Sequence, residues 1–303
     1  MCNILIWIEE HENVAIDKIL VSISGGQDSM CLLKLLYDFS QEYKKRIAIV
    51  HFDHNWRADS SSNAKYYCFT YSKAIFSEEQ ARKWRYFSLN LLATQLNCYT
   101  IVTGHTLTDR IETLFYSLIR GSGLDGITSM AFSRLDNNQV RVIHPLNNLK
   151  RQELYWLIRK TQLPVWTDLT NYSNNFTRNK IRNELIPYIK TTFNSELEKN
   201  LYGLFSIMDF EVEYLQLKAC FFYTLLIHPQ KYAINRKLLY TLHIALQRRI
   251  VKVFLKKYFS NSLPKKIIAD ILLKPITYSG IVYTYKKYNV YLGSTWIYLT
   301  IDK

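Results

Sequence analysis

The stretch from Ser24 to Ser29, SGGQDS, has the residue types of a loop that binds phosphate. It follows the apolar run KILVSI and precedes SMCLLKLLYDF, whose apolar residues have helical spacing. Glycines let backbone N–H groups approach an anion, hydroxyls add donors, and a helix N-terminus adds partial positive charge. An ordinary strand-to-helix turn capped by Asp or Ser is the less specific interpretation. We predict an anion-binding loop made of Ser24, Gly25, Gly26, Gln27, Asp28 and Ser29.

A second group of reactive side chains, His105, Asp109 and Glu112, is spaced for one face of a helix in GHTLTDRIET. This segment follows the strand-like run TIVT, and ligands of open α/β sheets bind at the carboxyl ends of strands. The three side chains could bind Mg²⁺, orient an ammonium group or transfer a proton. A solvent-exposed helix face with a capping histidine is the alternative.

Three further stretches, HFDHNWR, EEQARKWRYF and DLTNYSNNFTRNKIRNELIP, combine polar and basic residues. The first follows a predicted strand, and the arginines of the other two suit phosphate or base contacts. Taken singly, they are equally consistent with a polar loop, a surface ion-pair ladder and a basic helix start. Their candidate residues are His51, Asp53, His54 and Arg57; Glu79, Arg82, Arg85 and Tyr86; and Asp168, Asn171, Arg178, Asn179, Lys180 and Arg182.

The elements that must position these residues alternate between strand-like and helix-like patterns over residues 1–190. This rhythm predicts an α/β fold, a parallel sheet wound with helices. A long helical stretch then predicts a connector at 191–225. The run SGIVYTYKKYNVYLGSTWIYLTI, with turn residues at Asn289 and Gly293, predicts a small α+β C-terminal domain at 226–303.

The segment GSGLDG, residues 121–126, matches the dinucleotide-binding fingerprint G-x-G-x-x-G letter for letter. That fingerprint needs a strand immediately before it, whereas here the preceding residues have a helical pattern. We therefore expect a loop without a dinucleotide site.

Composition narrows the class of protein. No apolar run is long enough to span a membrane, and the N-terminal residues do not resemble a signal or transit peptide. Five widely spaced cysteines disfavour a disulfide framework and favour a reducing compartment. The net charge of +14 suggests a polyanionic partner such as nucleic acid. Many residues with AT-rich codons suggest an organelle genome, so we expect a cytoplasmic or plastid stromal protein.

In order along the chain, these motifs resemble the tRNA(Ile)-lysidine synthetases, which belong to the PP-loop ATP pyrophosphatase superfamily. The resemblance runs from Ser24 to Pro187 through S-G-G-x-D-S, H-x-x-H-x-x-R, E-x-x-A-R-x-x-R-Y, G-H-x-x-x-D-x-x-E-T, R-G-S-G-L-D-G, HPL and D-x-T-N-(6)-R-N-x-I-R-(4)-P. LQRRIV, residues 246–251, is similar to a further family pattern. The chain departs from the family at Asn55, where a glycine is usual, and in a short segment at 58–78 that could lack a sheet strand.

This resemblance implies an ATP-dependent ligase that attaches lysine to C2 of the wobble cytidine in the CAU anticodon of isoleucine tRNA. An adenylated tRNA is the expected intermediate, with ATP, Mg²⁺, L-lysine and this tRNA as cofactors and partners. Whether the chain is a homodimer stays open. The implied residues are Ser24–Ser29, His51 and Arg82 for ATP; Asp28, His105, Asp109, Glu112 and Arg178 for catalysis; Asp28 and Asp109 for Mg²⁺; and Arg178, Lys180, Arg182, Arg248 and Arg249 for tRNA.

Three other functions fit parts of the pattern. A PP-loop tRNA thiolase would normally carry extra paired cysteines, which this sequence lacks. An inactive RNA-binding protein would not need the intact loop and carboxylates. An amidotransferase such as a GMP synthetase would need a glutaminase, and it leaves the basic C-terminal residues unexplained.

Overall fold

The computed structural model describes residues 17–53, 67–70, 78–135, 140–163, 177–259, 265–285 and 288–301. The chain forms two compact units, Met1–Ser206 and Ile207–Lys303. The finer division at 190 and 225 expected from the sequence stays a prediction.

The first unit is a six-stranded sheet with helices on both faces. Its strands are β1 (Lys18–Ile23), β2 (Arg46–Asp53), β3 (Tyr67–Thr70), β4 (Thr100–Thr103), β5 (Ser133–Leu135) and β6 (Arg141–Ile143). Its helices are α1 (Gln27–Tyr43), α2 (Glu78–Gln95), α3 (Leu107–Ile119), α4 (Leu124–Ile127), α5 (Arg151–Thr161), α6 (Thr177–Lys180) and α7 (Ile186–Thr192), with a π-helical turn at Ile181–Leu185.

The strand order is β3-β2-β1-β4-β6-β5, and every pair is parallel except β5 with β6. Strand β1 is central and apolar on both faces, because its alternate side chains enter different cores. Ile19 and Val21 pack with residues of α1 and with Leu154 of α5. Leu20 packs on the other face with Leu89 of α2. The predicted α/β fold is confirmed.

Two features of the sequence are clarified by this topology. The short segment after β2 keeps a sheet strand, because β3 pairs in parallel with Val50–Asp53. The fingerprint-like segment 121–126 follows α3 and leads into the four-residue α4, so it has no strand before it. The absence of a preceding strand is as expected, but the loop is shorter than predicted, because residues 124–126 belong to α4.

The second unit begins within a long helix, α8 (Leu197–Leu226). It continues with β7 (Ala233–Asn235), α9 (Arg236–Thr241), α10 (Ile244–Tyr258), α11 (Lys265–Leu273), β8 (Gly280–Tyr285), β9 (Tyr288–Leu292) and β10 (Trp296–Ile301). The four strands form an antiparallel sheet in the order β7-β10-β9-β8.

The small α+β fold predicted for the C-terminal part is present, with one error of detail. Asn289 was expected in a turn, but it lies inside β9, is 4% exposed and is opposite Thr300 of β10. Gly293 directly follows β9, as a turn residue should. Within the part of the chain that the structure describes, no helix is both long and apolar enough to cross a membrane.

Candidate active site

The predicted anion-binding loop lies between the end of β1 and the start of α1. Gly25 has φ of 81°, in the left-handed region that only glycine adopts readily. The hydroxyl of Ser29 donates to the carbonyl of Gly26 (2.8 Å) and lies 3.2 Å from the hydroxyl of Ser24. A Cβ on Gly26 would meet nothing closer than 3.5 Å, so that glycine leaves open space at the helix N-terminus.

The loop adjoins the ends of the two neighbouring strands. His51, at the end of β2, has Nδ1 3.0 Å from the carbonyl oxygen of Ile23 in β1. Gly104 follows β4, and a Cβ there would lie 3.1 Å from Cα and N of Ser29. These contacts bring three strand ends together, which is where open α/β sheets bind ligands.

Asp109 has both a structural and a chemical position on α3. Its Oδ2 accepts hydrogen bonds from the backbone N–H (2.8 Å) and the hydroxyl (2.9 Å) of Thr106, and so caps the helix. Its Oδ1 accepts from Arg151 and Arg182, each at 3.3 Å. Only one oxygen of this carboxylate therefore faces the site.

Two arginines connect all three predicted carboxylates. Arg151 Nε donates to Asp28 Oδ2 at 2.9 Å, while the same guanidinium reaches Asp109. Arg182 donates to both oxygens of Glu112, with Nη2 2.9 Å from Oε2, and also reaches Asp109. Arg182 belongs to the π-helical turn, a form that often occurs at functional sites.

Arg151 was not predicted as a site residue. The sequence showed it only as the first residue of a helix pattern, KRQELYWLIRK. Its distance from Asp28 along the chain, 123 residues, hid the contact. A basic residue soon after the HPL motif was the available signal.

Burial sets the protonation of the carboxylates. Burial raises the pKa of Asp28, and Arg151 offsets this only in part. Burial likewise raises the pKa of Glu112, whose side chain is 1% exposed, against the opposing effect of Arg182. Burial also acts to raise the pKa of Asp109, but the charge of Arg151 above all, with the Thr106 N–H and Arg182, opposes this effect, and that pKa is lowered.

A buried chain of hydrogen-bonding groups lies behind His105. The hydroxyl oxygen of Thr103 is 2.8 Å from Nδ1 of His105 and 2.6 Å from Nδ1 of His144. Burial lowers the pKa of both imidazoles, and nearby arginines such as Arg82 add to this. Both rings are therefore neutral at pH 7. Both Thr103 and His144 were missed. Thr103 was interpreted only as the end of the strand-like run TIVT, and HPL, which contains His144, only as a turn.

The predicted tRNA-binding residues differ in their surroundings. Arg178 donates to the hydroxyl of Thr113 on α3 (3.0 Å), and Arg182 binds the carboxylates, so both face the site. Lys180 is exposed. Arg248 and Arg249 lie on α10 in the second unit, where Arg248 is exposed and Arg249 half-buried.

Several predicted residues cannot be placed. His54, Asn55, Arg57, Asp168 and Asn171 lie outside the described residues. Asp53 and Glu79 belong to β2 and α2, but their side chains are outside the described part. Arg82 and Tyr86 are on α2, with the guanidinium 5.7 Å from the ring centroid.

The fit of Mg²⁺ can be judged from Asp28 and Asp109. Across the described residues, no group of three or more His, Cys, Asp or Glu side chains could hold a metal ion by itself. Asp28 Oδ1, however, is buried without a hydrogen-bond partner. Mg²⁺ typically uses one or two carboxylates together with waters and substrate phosphates. The residues fit that kind of site.

The chain is similar to known proteins in both sequence and structure. The family model of the PP-loop domain matches residues 8–189. The tRNA(Ile)-lysidine synthase of the chloroplast of Pyropia yezoensis is 40% identical over 295 residues, covering 93% of this chain and 89% of the relative. The tRNA(Ile)-lysidine synthase of a Synechocystis strain is 37% identical over 262 residues, covering 81% and 79%.

Among solved structures, a U34-tRNA thiolase from Methanococcus maripaludis with its [4Fe-4S] cluster is similar, with a TM-score of 0.51. It is 14% identical and covers 62% of this chain and 72% of that protein. At this level of identity the similarity shows the fold alone.

Proposed function

Because this chain belongs to the tRNA(Ile)-lysidine synthase family of PP-loop proteins, we propose that it joins free L-lysine to C2 of the wobble cytidine in the CAU anticodon of isoleucine tRNA. The observation that carries the proposal is the cluster of Asp28, Asp109 and Glu112 beside an open loop at a helix N-terminus. This cluster supports a reaction that uses a nucleoside triphosphate together with a cationic substrate.

ATP binds with its phosphates on the loop from Ser24 to Ser29, with His51 and Arg82 at the rim. Backbone N–H groups and the partial charge at the start of α1 favour an anion there. The cytidine O2 attacks the α-phosphorus and pyrophosphate leaves. Mg²⁺ held by Asp28 and Asp109 would neutralise charge on the phosphates.

Lysine enters a cluster whose carboxylates are already paired with arginines. For the lysine ammonium or a metal ion to bind Asp109 or Glu112, an arginine must first release a carboxylate oxygen. That arginine is Arg151 or Arg182 at Asp109, and Arg182 at Glu112. A released guanidinium can then bind phosphate, for which its planar donors are well suited. Arg178 contacts Thr113 of α3, and its guanidinium can bind the same phosphate groups.

His105 handles a proton in the second step. The ε-amine of lysine attacks C2, the bond from C2 to the adenylate oxygen breaks, and AMP leaves. The attacking nitrogen must lose a proton, and a neutral imidazole can accept it. Two features of the site support this role: the ring is neutral before the step, and the nearby charge of Asp109 favours the protonated ring that the transfer produces.

The tRNA contacts Lys180 near the site and the basic residues of α10, including Arg248 and Arg249. The net charge of +14 supports a partner rich in phosphate. The plastid stroma is the proposed location, supported by chloroplast relatives in Pyropia yezoensis and Gracilaria tenuistipitata.

The proposed assembly is a homodimer formed through α8. Its exposed face carries large apolar side chains spaced three or four residues apart: Ile207, Phe210, Tyr214, Leu217, Phe221 and Leu225. This spacing suits a two-stranded coiled coil. In a parallel pair, Glu213 of one copy would lie opposite Lys218 of the other, with complementary charge.

Sedimentation of the full chain tests this assembly. We expect a dimer for the wild type and a monomer for Phe210→Glu/Leu217→Glu. Leu273→Glu, at a residue 80% exposed on α11, should stay dimeric. A monomeric wild type would exclude the homodimer.

Incorporation of labelled lysine tests the function. Purified protein, ATP, Mg²⁺ and a tRNA transcript with a CAU anticodon should yield labelled tRNA and AMP in equal amounts. A transcript with a different wobble base should yield neither. Sulfur incorporation without lysine would instead indicate the thiolase alternative.

A further inference from the structure

Helix α5 presents an exposed row of aromatic and basic side chains next to the site. Tyr155 is 48% and Trp156 63% exposed. The Arg159 guanidinium lies over the Tyr155 ring, 4.7 Å from its centroid, and the Lys160 ammonium lies 5.0 Å from that of Trp156. We call Tyr155, Trp156, Arg159 and Lys160 the α5 ridge.

The helix that carries the ridge is hydrogen-bonded to the first two turns of α1. Gln27 donates from Nε2 to the carbonyl of Arg151 (3.1 Å), and the thiol of Cys31 contacts the carbonyl of Leu154 (3.3 Å). Tyr155 is one helical turn after Arg151, about 6 Å along the axis. Because Arg151 binds Asp28 and Asp109, the ridge begins one turn from the carboxylates.

We propose that the α5 ridge binds unpaired nucleotides of the RNA substrate that flank the reacting one, with the bases stacked on Tyr155 and Trp156. This inference rests on the proposed function and deepens it. Single-stranded nucleic acid is bound by aromatic faces for the bases and cations for the backbone. The ridge carries both: the two rings come first along the helix, and a cation follows each of them one turn later.

The charge of the ridge favours RNA over a protein partner. Protein-binding patches have cores depleted in charged residues. Here each exposed ring is accompanied by a cation one turn away. The stacked cations also fix the orientation of the rings before a base arrives, which lowers the entropy lost on binding.

Direct RNA binding by the full chain tests the proposal. The probes are a labelled RNA stem-loop with CAU in its loop and an RNA duplex of equal length. Tyr155→Ala and Trp156→Ala should each raise the Kd for the stem-loop about tenfold, the usual scale for losing one stacked base. The Kd for the duplex should not change.

The controls separate stacking from charge and from folding. Tyr155→Phe keeps a ring and should bind like the wild type, whereas Tyr155→Leu keeps bulk and should behave like Tyr155→Ala. Tyr37→Ala, at a 54% exposed residue of α1, should have no effect. Thermal melting and the Kd for ATP should be unchanged in every variant, because the ridge does not contact the loop through these side chains.

The outcomes distinguish this proposal from the function on which it rests. A wild type that incorporates lysine, with ridge variants that bind the stem-loop normally, would overturn the ridge alone. A wild type that neither binds the stem-loop nor incorporates lysine would overturn both. Equal losses for stem-loop and duplex would show that the ridge contributes no stacking, and would also reject it.

Discussion

The two adjacent glycines of the phosphate loop have different roles: Gly25 permits the backbone conformation, and Gly26 leaves space for the ligand. Gly25 has φ of 81°, so Gly25→Ala strains the ligand-free backbone and should lower the melting temperature by a few degrees. Gly26 has room for a methyl group, so Gly26→Ala should melt like the wild type. If ATP phosphates approach there, Gly26→Ala should still raise the Kd for ATP, which calorimetry measures.

The pair therefore separates folding from ligand binding. Both variants should bind the tRNA normally, because the loop contacts ATP. Wild-type affinity for ATP in Gly26→Ala would show that the phosphates lie elsewhere.

Glu112 should determine the acid limb of the pH–rate profile, the fall in the rate of the lysine step at low pH. Burial raises its pKa above the ordinary 4.5, so it becomes protonated at a higher pH than an exposed glutamate. Since an ammonium group needs the charged form, kcat/KM for lysine should fall as the pH drops through that raised pKa. Glu112→Gln should lower the rate about 10²-fold and remove this part of the pH profile.

The measurement is lysine incorporation between pH 5 and 8 at saturating ATP. Glu184→Gln provides a control, because Glu184 is an exposed glutamate in the same π-helical turn as Arg182. An unchanged pH profile in Glu112→Gln would assign the limb to another group, with Asp28 the next candidate because its pKa is also raised.

Residue types predicted the site only where neighbours in sequence are also neighbours in space. Asp109 and Glu112 share helix α3, so their periodicity revealed them. His105 was predicted on the same helix face, but it lies just before the helix begins. The positions of Arg151 and His144 depend on how β4, β6 and α5 meet in three dimensions. Spacing along the chain carries no such information, and these two residues were missed.

At the scale of elements, Gly104 keeps β4 and α3 close to α1. A Cβ on Gly104 would lie 3.1 Å from backbone atoms of Ser29, which cannot move as a flexible side chain can. Gly104→Ala should therefore displace the loop, lowering both the melting temperature and the affinity for ATP. Differential scanning calorimetry and ATP titration measure the two effects.

Gly123→Ala is the matched control, since nothing lies within 4 Å of a Cβ at that position. It should leave both quantities unchanged. Normal stability and normal ATP binding in Gly104→Ala would show that β4 and α1 can separate without cost.

Elements were predictable where the hydrophobic period was clear. Strand β1 and helix α3 follow from apolar runs of the correct period. The misplacement of Asn289 shows the limit, because a turn-forming residue was overruled by its strand neighbours on both sides. The edge strand β3 has only four residues, which are too few to establish a strand by their hydrophobic pattern.

At the scale of the whole molecule, tRNA binding should depend strongly on salt, because phosphate neutralisation releases counterions. Arg248→Gln/Arg249→Gln should weaken binding and reduce the slope of log K against log salt by about 1 to 2. Lys34→Gln/Lys199→Gln removes the same charge. Those lysines form ion pairs with Asp38 and Glu196 and are not among the proposed tRNA-binding residues, so the slope should change less.

Filter binding at several salt concentrations measures these slopes. A Kd that does not vary with salt would mean that the charge of +14 serves only the solubility of the protein. The sequence predicted the sign of this charge and the presence of a basic helix, α10. Composition alone cannot say which basic residues face a partner.

Arg236, at the start of α9, has a consequence for synthesis of the chain on the ribosome. Its side chain is fully buried, and its guanidinium donates to the carbonyls of Tyr278 (2.7 Å), Pro275 (2.6 Å) and Gly293 (2.9 Å). These acceptors are translated 39 to 57 residues after the arginine. Until they emerge, this permanent charge must remain hydrated, and the surrounding core cannot close. The first unit can therefore fold while the second is still a nascent chain exposed to chaperones and proteases.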